Sequence, residues 1–145
     1  MNQTQLDDAH ASLGRRADRI VEEVAIMADL ESRQDDEYTR EYDGSVYTYE
    51  DFLSSVIEGA ALSIDVMSDW RAVGSEDTDP THYRILLGWG GPAVQITGEL
   101  DRFGEVFTAE LQYQDWGTLW IGFCSGTDEQ NAAILEYARR IVGVV

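Results

Sequence analysis

The chain has 145 residues, 43% of them hydrophobic, a length and composition that fit one globular domain and argue against wholesale disorder. It carries 28 acidic and 10 basic residues, a formal net charge of −18, and every basic residue is an arginine. Such a charge argues against direct binding to nucleic acid or to an anionic membrane surface, and it favours basic partners.

Several absences point to the cytoplasm. The single Cys124 excludes an internal disulfide, which fits a reducing compartment. No apolar run is long enough to span a bilayer. The first residues lack the basic start and apolar middle of a signal peptide, so we expect a cytoplasmic protein.

The acidity has three interpretations at this stage. It is either the ordinary solvated surface of a globular protein, an adaptation to a salty cytoplasm, or an imitation of the phosphate backbone that occupies a nucleic-acid-binding protein. Acidic residues occur in both halves of the chain, so the charge belongs to the whole fold and not to a tail.

The first predicted element is an amphipathic helix over residues 5–32. Apolar residues recur there at spacings of three and four. They are Leu6, Ala9, Leu13, Ala17, Ile20, Val24 and Met27. The segment 33–45 has little to bury except Tyr38 and Tyr42, which predicts an acidic hinge, as either a loop or a continuing helix, closed by Asp43-Gly44. Both segments belong to a single domain over residues 1–145.

Further elements follow in order. Thr48 caps a second helix that Gly59 ends, and residues 62–67 alternate in polarity like a half-buried strand. Residues 74–80 form a solvated loop. Thr127 begins the last helix, which carries acids in its first turn and arginines in its last.

Three runs between residues 83 and 123 are rich in β-branched and aromatic residues and are separated by glycine and proline, a pattern typical of strands joined by tight turns. We predict adjacent antiparallel strands over Tyr83–Gly88, Ala93–Thr97 and Val106–Tyr113. Phe107, Leu111 and Tyr113 should face a helix, and Gly90 or Gly91 should adopt a positive φ before Pro92. The fold class is therefore α+β, with an antiparallel sheet of about four strands and the terminal helices packed on one face.

Catalytic patterns are sparse. His10, His82 and Cys124 do not stand at ligand spacings, and the glycines of residues 88–91 lack the lysine of a phosphate loop. No pair of carboxylates is singled out by spacing as it would be in a hydrolase. We expect a protein that is not an enzyme and has no metal, cofactor or catalytic residue.

Aromatic residues beside carboxylates are the candidate binding residues. Tryptophan anchors protein interfaces, and spaced carboxylates suit a groove lined with arginine and lysine. The predicted partner-binding set is Trp89, Glu99, Asp101, Glu105, Glu110, Asp115, Trp116 and Trp120. The tryptophans could equally belong to the core.

The block Leu87-Gly88-Trp89-Gly90-Gly91-Pro92-Ala93-Val94-Gln95-Ile96, a strand ending in Tyr113-Gln114-Asp115-Trp116-Gly117 and the terminal helix resemble small accessory proteins of phages and plasmids. These carry a Gly-Gly-Pro turn between strands, and some act against host restriction or CRISPR defence. The resemblance covers residues 62–142 and implies an α+β fold without a cofactor.

Charge and resemblance together predict a non-enzymatic inhibitor, encoded by a mobile element and active in the host cytoplasm. It would imitate DNA and occupy the nucleic-acid-binding site of a basic defence complex, of the anti-CRISPR or anti-restriction type. The alternative is an ordinary cytoplasmic interaction domain whose acidity is an adaptation to high salt. A homodimer is compatible with either.

Overall fold

The computed structural model describes residues 2–33, 35–76, 79–90, 92–115 and 117–143. In that part of the chain the α-helices are α1 Gln3–Arg33, α2 Tyr49–Phe52 and α3 Asp128–Val142, and α2 continues into a π-helical turn Leu53–Ile57 and a 3₁₀ turn Glu58–Ala60. The strands are β1 Arg40–Tyr42, β2 Ser45–Tyr47, β3 Ser63–Met67, β4 His82–Gly88, β5 Ala93–Glu99, β6 Glu110–Gln114 and β7 Ile121–Gly122.

The described strands form two antiparallel sheets. The larger is a five-stranded meander in the order β3-β4-β5-β6-β7, and β1 and β2 form a separate hairpin. The α+β class is confirmed, but the predicted count of about four strands is corrected to five, plus the hairpin. The additional strands have only two or three residues, which is too short for a period-two pattern to show in the sequence.

The third predicted strand, Val106–Tyr113, begins later than expected. β6 starts only at Glu110. Leu111 and Tyr113 are buried as predicted, but Phe107 is 62% exposed, so the prediction that it faces a helix is wrong.

A β-bulge causes this difference. The backbone carbonyl of Glu99 accepts from the amides of both Phe107, at 2.8 Å, and Thr108, at 3.4 Å, whereas Thr97 pairs directly with Glu110. Two residues therefore stand opposite one, and such an extra residue reverses which side chains face the core. The clean alternation in the sequence concealed this change because it continues through the bulge.

The turn between β4 and β5 has the predicted backbone. Gly90 has a φ of 101°, which confirms the expectation of a left-handed conformation before Pro92. Gly91, the other residue named in that prediction, lies outside the described residues.

The segment predicted as an acidic hinge, 33–45, carries β1 and the turn into β2. Asp43 and Gly44 both have positive φ, 51° and 82°, as the primed turns of two-residue hairpins require. The hairpin contacts α1: the hydroxyl of Tyr38 and the guanidinium of Arg40 each donate to Asp29 at 2.7 Å. The Arg40 guanidinium, followed by the Tyr38 hydroxyl, lowers the pKa of Asp29 below its ordinary value.

The two long helices run in the same direction against the sheet. Gln130 near the start of α3 donates to Asp18, and Arg140 near its end pairs with Glu31 at 2.8 Å. Thr127 and Gln130 form a complete capping box that begins α3. One hydrophobic core joins α1, α3, the turns after α2 and the inner sheet residues. Among the described residues, no helix is both long enough and apolar enough to cross a membrane.

Candidate functional site

One face of the main sheet points away from the core. In β4 the side chains of Tyr83, Ile85 and Leu87 are buried, and the residues between them point to the other side. We call this other side the open sheet face. The register of the strands assigns to it Asp65, Met67, His82, Arg84, Leu86, Gln95, Thr97, Glu99, Glu110 and Gln112.

A row of charged and polar side chains crosses the open sheet face. Asp65, Arg84, Thr97 and Glu110 are paired in sequence across four strands. The guanidinium of Arg84 contacts the carboxylate of Asp65 at 2.9 Å, so these two charges compensate each other. Glu110 is separated from them by Thr97.

Three glutamates near this row have no ionic partner. Within the described residues, no basic side chain lies at ion-pair distance from Glu99, Glu105 or Glu110. Glu99 and Glu110 are diagonal neighbours across β5 and β6, a relation that places Cα atoms roughly 7–8 Å apart. The face therefore presents uncompensated negative charge.

A chain of amide hydrogen bonds connects Glu110 to the middle of the sheet. Gln112 donates its Nε2 to Glu110 at 2.7 Å, and Gln95 donates its Nε2 to the Oε1 of Gln112 at 2.6 Å. A carboxylate only accepts, so Glu110 sets the orientation of both amides. The Oε1 of Gln95 is left buried and without a hydrogen-bond partner.

A groove of about 490 Å³ lies over this part of the sheet. Among its lining residues are Asp65, Met67, His82, Arg84, Gln95, Thr97, Glu99 and Trp120. Trp120 comes from the segment before β7, opposite the end of β6, and it is half-buried. The groove thus combines an aromatic ring, an uncompensated carboxylate and a buried acceptor.

In the part of the chain that the structure describes, the contacts of the His82 ring are made by its Nδ1. Its Nδ1 lies 2.8 Å from the hydroxyl of Thr81 and 3.6 Å from a carboxylate oxygen of Asp69. A nucleophile–base–acid triad needs the two ring nitrogens to face different partners, whereas here one nitrogen faces both.

The structure brings together only some of the predicted partner-binding residues. Glu99, Glu110 and Trp120 lie on or beside the open sheet face. Asp101 and Glu105 lie in the turn that follows β5, where Asp101 Oδ1 accepts from the amides of residues 103 and 105 at 2.8 and 3.0 Å and so holds the turn.

Two of the other predicted residues, Trp89 and Asp115, lie at the opposite end of the sheet. Trp89 is in the turn between β4 and β5 and is 80% exposed. Asp115 is in the turn after β6, where it bonds with Thr118 through its backbone. β5 spans about 20 Å between the two ends at roughly 3.3 Å per residue. Trp116 lies outside the described residues.

Sequence reasoning missed most of the groove. Gln95 is a polar residue within the apolar run of β5, and that anomaly was a usable signal. Arg84 and Asp65 became neighbours only through the pairing of β3 with β4.

The free edge of the sheet beside the groove is unusually apolar. Five large hydrophobic side chains in β3 and the residues on either side of it are exposed, Leu62, Val66, Met67, Trp70 and Val73. Met67 lies on the open sheet face, whereas Val66 lies on the other face of the same strand. Exposed apolar side chains that form a contiguous patch mark protein-binding surfaces.

Among the described residues, no group of three or more histidine, cysteine or acidic side chains is arranged to hold a metal ion. Comparison of the chain with protein-family models, with curated proteins and with solved structures finds no match.

Proposed function

We propose that this protein is a non-enzymatic acidic inhibitor that binds a basic protein or complex at its nucleic-acid-binding site, as anti-CRISPR and anti-restriction proteins do. The observation that supports it is the open sheet face of a chain of net charge −18, where the uncompensated Glu99 lines the same groove as Trp120 and the uncompensated Glu110 lies on the neighbouring strand. Such a surface is complementary to a groove lined with arginine and lysine.

The apolar edge at β3 adds to this proposal. Charge complementarity raises association rates and gives specificity, but affinity comes chiefly from buried aromatic and apolar anchors. Trp70 is fully exposed and Met67 is 62% exposed, so both are free to be covered by a partner. A protein partner accounts for both the charge and the apolar residues, whereas an evenly solvated surface accounts only for the charge.

The second candidate is an interaction domain whose acidity is an adaptation to high salt. It is favoured by the distribution of exposed carboxylates over the helices and the hairpin as well as the sheet. Asp7, Glu22, Glu41, Glu50 and Glu129 are examples. In this case no single face is required for binding.

The test compares two triple variants with the same change in charge. Glu99→Gln/Glu105→Gln/Glu110→Gln removes the uncompensated carboxylates on and next to the open sheet face. Glu37→Gln/Glu41→Gln/Glu50→Gln removes three exposed carboxylates around the hairpin. Asp101 is left unchanged because its carboxylate holds a turn.

The assay measures DNA binding by a panel of purified CRISPR surveillance complexes and restriction enzymes in a mobility-shift experiment. We expect the wild-type protein to block at least one of them, and the block to weaken between about 0.05 and 0.5 M salt because screening shortens the range of charge interactions. The open-face variant should lose inhibition and the hairpin variant should keep it. Equal loss in both variants would show that inhibition depends on the overall charge and not on the open sheet face. DNA binding left intact across the panel would reject the inhibitor and leave the second candidate.

A further inference from the structure

The buried Oε1 of Gln95 is the starting point. Gln95 is 5% exposed and lines the groove, and its Nε2 is committed to Gln112 on β6. Its Oε1 is buried and has no hydrogen-bond partner among the described residues. A buried acceptor without a donor is costly, so a ligand that brings an N–H group to it gains free energy.

The flanking groups specify what kind of donor fits. Glu99 adds a carboxylate without an ionic partner among the described residues, which favours a cation. Trp120 adds an indole, the aromatic ring that binds cations best. Arg84 is also cationic, but its guanidinium is held by Asp65 at 2.9 Å, so the pair presents little net charge to the groove.

We propose that the groove receives an arginine side chain of the basic partner, with its guanidinium stacked on Trp120 and donating to Gln95 Oε1, while the carboxylate of Glu99, further along β5 in the same groove, attracts its charge. This inference rests on the proposed function and names the group that the acidic surface recognises. A guanidinium fits better than an ammonium because it is planar, carries five N–H donors in a fixed arrangement, and stacks on an aromatic face.

Because Gln95 Oε1 is closed to solvent, entry of the guanidinium requires a side chain that lines the groove to move, and Trp120 is the side chain that we expect to do so. Trp120 is half-buried in this groove. The residue precedes β7, a strand of only two residues, so little regular structure holds its position. A shift of this indole is therefore the expected signature of binding.

The experiment titrates the ¹⁵N-labelled full chain with the peptide acetyl-Gly-Arg-Gly-amide and follows the Trp120 indole and Gln95 side-chain amide signals by NMR. Matched peptides carry citrulline, which has the same shape without the charge, or lysine. We expect the arginine peptide to shift both signals and to bind roughly tenfold more tightly than the citrulline peptide, and severalfold more tightly than the lysine peptide.

Two variants locate the site. Glu99→Gln should weaken binding of the arginine peptide roughly twofold to fivefold, whereas Glu41→Gln, which removes the same charge on the hairpin, should leave it nearly unchanged. Trp120→Leu should abolish the preference for arginine over lysine. Since that variant could also disturb the fold, the peptide comparison on the wild-type chain provides an independent test.

Each contrary outcome overturns the inference. Equal binding of the arginine and citrulline peptides would show that the groove does not recognise charge. Equal binding of the arginine and lysine peptides would show that stacking on Trp120 does not contribute. Shifts confined to residues outside the groove would reject this site, and so would the absence of any shift. None of these results affects the mobility-shift comparison of the two triple variants, so a failure here is distinguishable from a failure of the proposed function.

Discussion

Glu23 and Gln95 are polar side chains that the described part of the chain buries, and the structure treats them differently. Glu23 accepts from the hydroxyl of Tyr42 at 2.9 Å and from Arg19 Nε at 3.2 Å. Gln95 has a partner for its amide nitrogen but none for its oxygen. A buried charge without partners is strongly destabilising, so the Glu23 contacts serve stability, whereas the buried oxygen of Gln95 has no such compensation.

Tyr42→Phe removes one of the partners of Glu23, and we expect it to lower the free energy of unfolding by about 1–3 kcal/mol. Tyr38→Phe is the matched control, because Tyr38 makes the same kind of bond to the more exposed Asp29. Tyr38→Phe should lower the free energy of unfolding by less, because water can replace the phenol hydroxyl as the partner of Asp29. Urea denaturation of both variants measures the difference, and equal losses would show that the burial of Glu23 does not matter.

The raised pKa of the Tyr42 hydroxyl leads us to expect a loss of stability at alkaline pH. Burial, followed by the hydrogen bond to Glu23, raises the pKa of Tyr42 to about 12. Burial raises the pKa of Tyr137 to about 12 as well. The folded state holds these protons more tightly than the unfolded state, in which the pKa is about 10. The stability that these two protonated tyrosines contribute to the folded state is therefore complete below about pH 10 and is lost as the pH rises through about 12.

The free energy of unfolding measured across that interval should fall, and it should fall less steeply for Tyr42→Phe. Ultraviolet titration of tyrosinate provides the pKa values directly. Ionisation of every tyrosine near pH 10 in the folded protein would contradict this account.

At the scale of elements, the bulge between β5 and β6 determines the shape of the sheet edge. Its packing depends on Gly98, where an added Cβ would lie 2.0 Å from the carbonyl oxygen of Thr108 and 2.9 Å from the ring of Tyr83. The hydroxyl of Tyr83 donates to the same carbonyl at 2.6 Å. Glycine is thus needed here for the close approach of two backbones.

Gly98→Ala should destabilise the protein by at least about 2 kcal/mol, because backbone atoms cannot yield as a flexible side chain can. The control is Gly14→Ala in α1, where an added Cβ meets nothing within 4 Å. That variant should be stabilised by roughly 0.5–1 kcal/mol through the helix propensity of alanine. Thermal or urea unfolding of the two variants measures whether each change raises or lowers the free energy of unfolding. An unchanged free energy of unfolding in Gly98→Ala would argue against the close contact between Gly98 and Thr108.

At the scale of the whole molecule, the net charge of −18 opposes folding through mutual repulsion. The described arginines relieve only part of it, through pairs such as Arg40–Asp29, Arg84–Asp65 and Arg140–Glu31. The uncompensated carboxylates on the open sheet face therefore carry a cost to the folded state, which a basic partner would relieve.

Raising the salt concentration from about 0.05 to 0.5 M should increase the free energy of unfolding, because the Debye length falls to only a few ångströms. Both triple variants should be more stable than the wild type at low salt and should gain less from added salt, since each removes three charges. Destabilisation of the open-face variant alone would mean that Glu99, Glu105 and Glu110 hold the fold and are not free to bind a partner. Equilibrium denaturation at the two salt concentrations decides this.

The sequence by itself determined the α+β class, the two long helices, the capped start of α3 and a positive φ in the Gly90-Gly91 turn, which the structure shows at Gly90. Each of these depends on local spacing, on a cap or on a backbone preference that neighbouring residues encode. Leu111 and Tyr113 were placed correctly for the same reason, as alternation within β6 is local.

The open sheet face was decided by the tertiary structure. The bulge that exposes Phe107 depends on how β5 pairs with β6, and the groove depends on bringing Asp65, Gln95 and Trp120 together from separate strands and a loop. The hairpin at residues 40–47 is held by contacts with Asp29 and Glu23 in α1, which its own sequence does not reveal. Pairing between distant segments is set by packing and register, and a single sequence records those only indirectly.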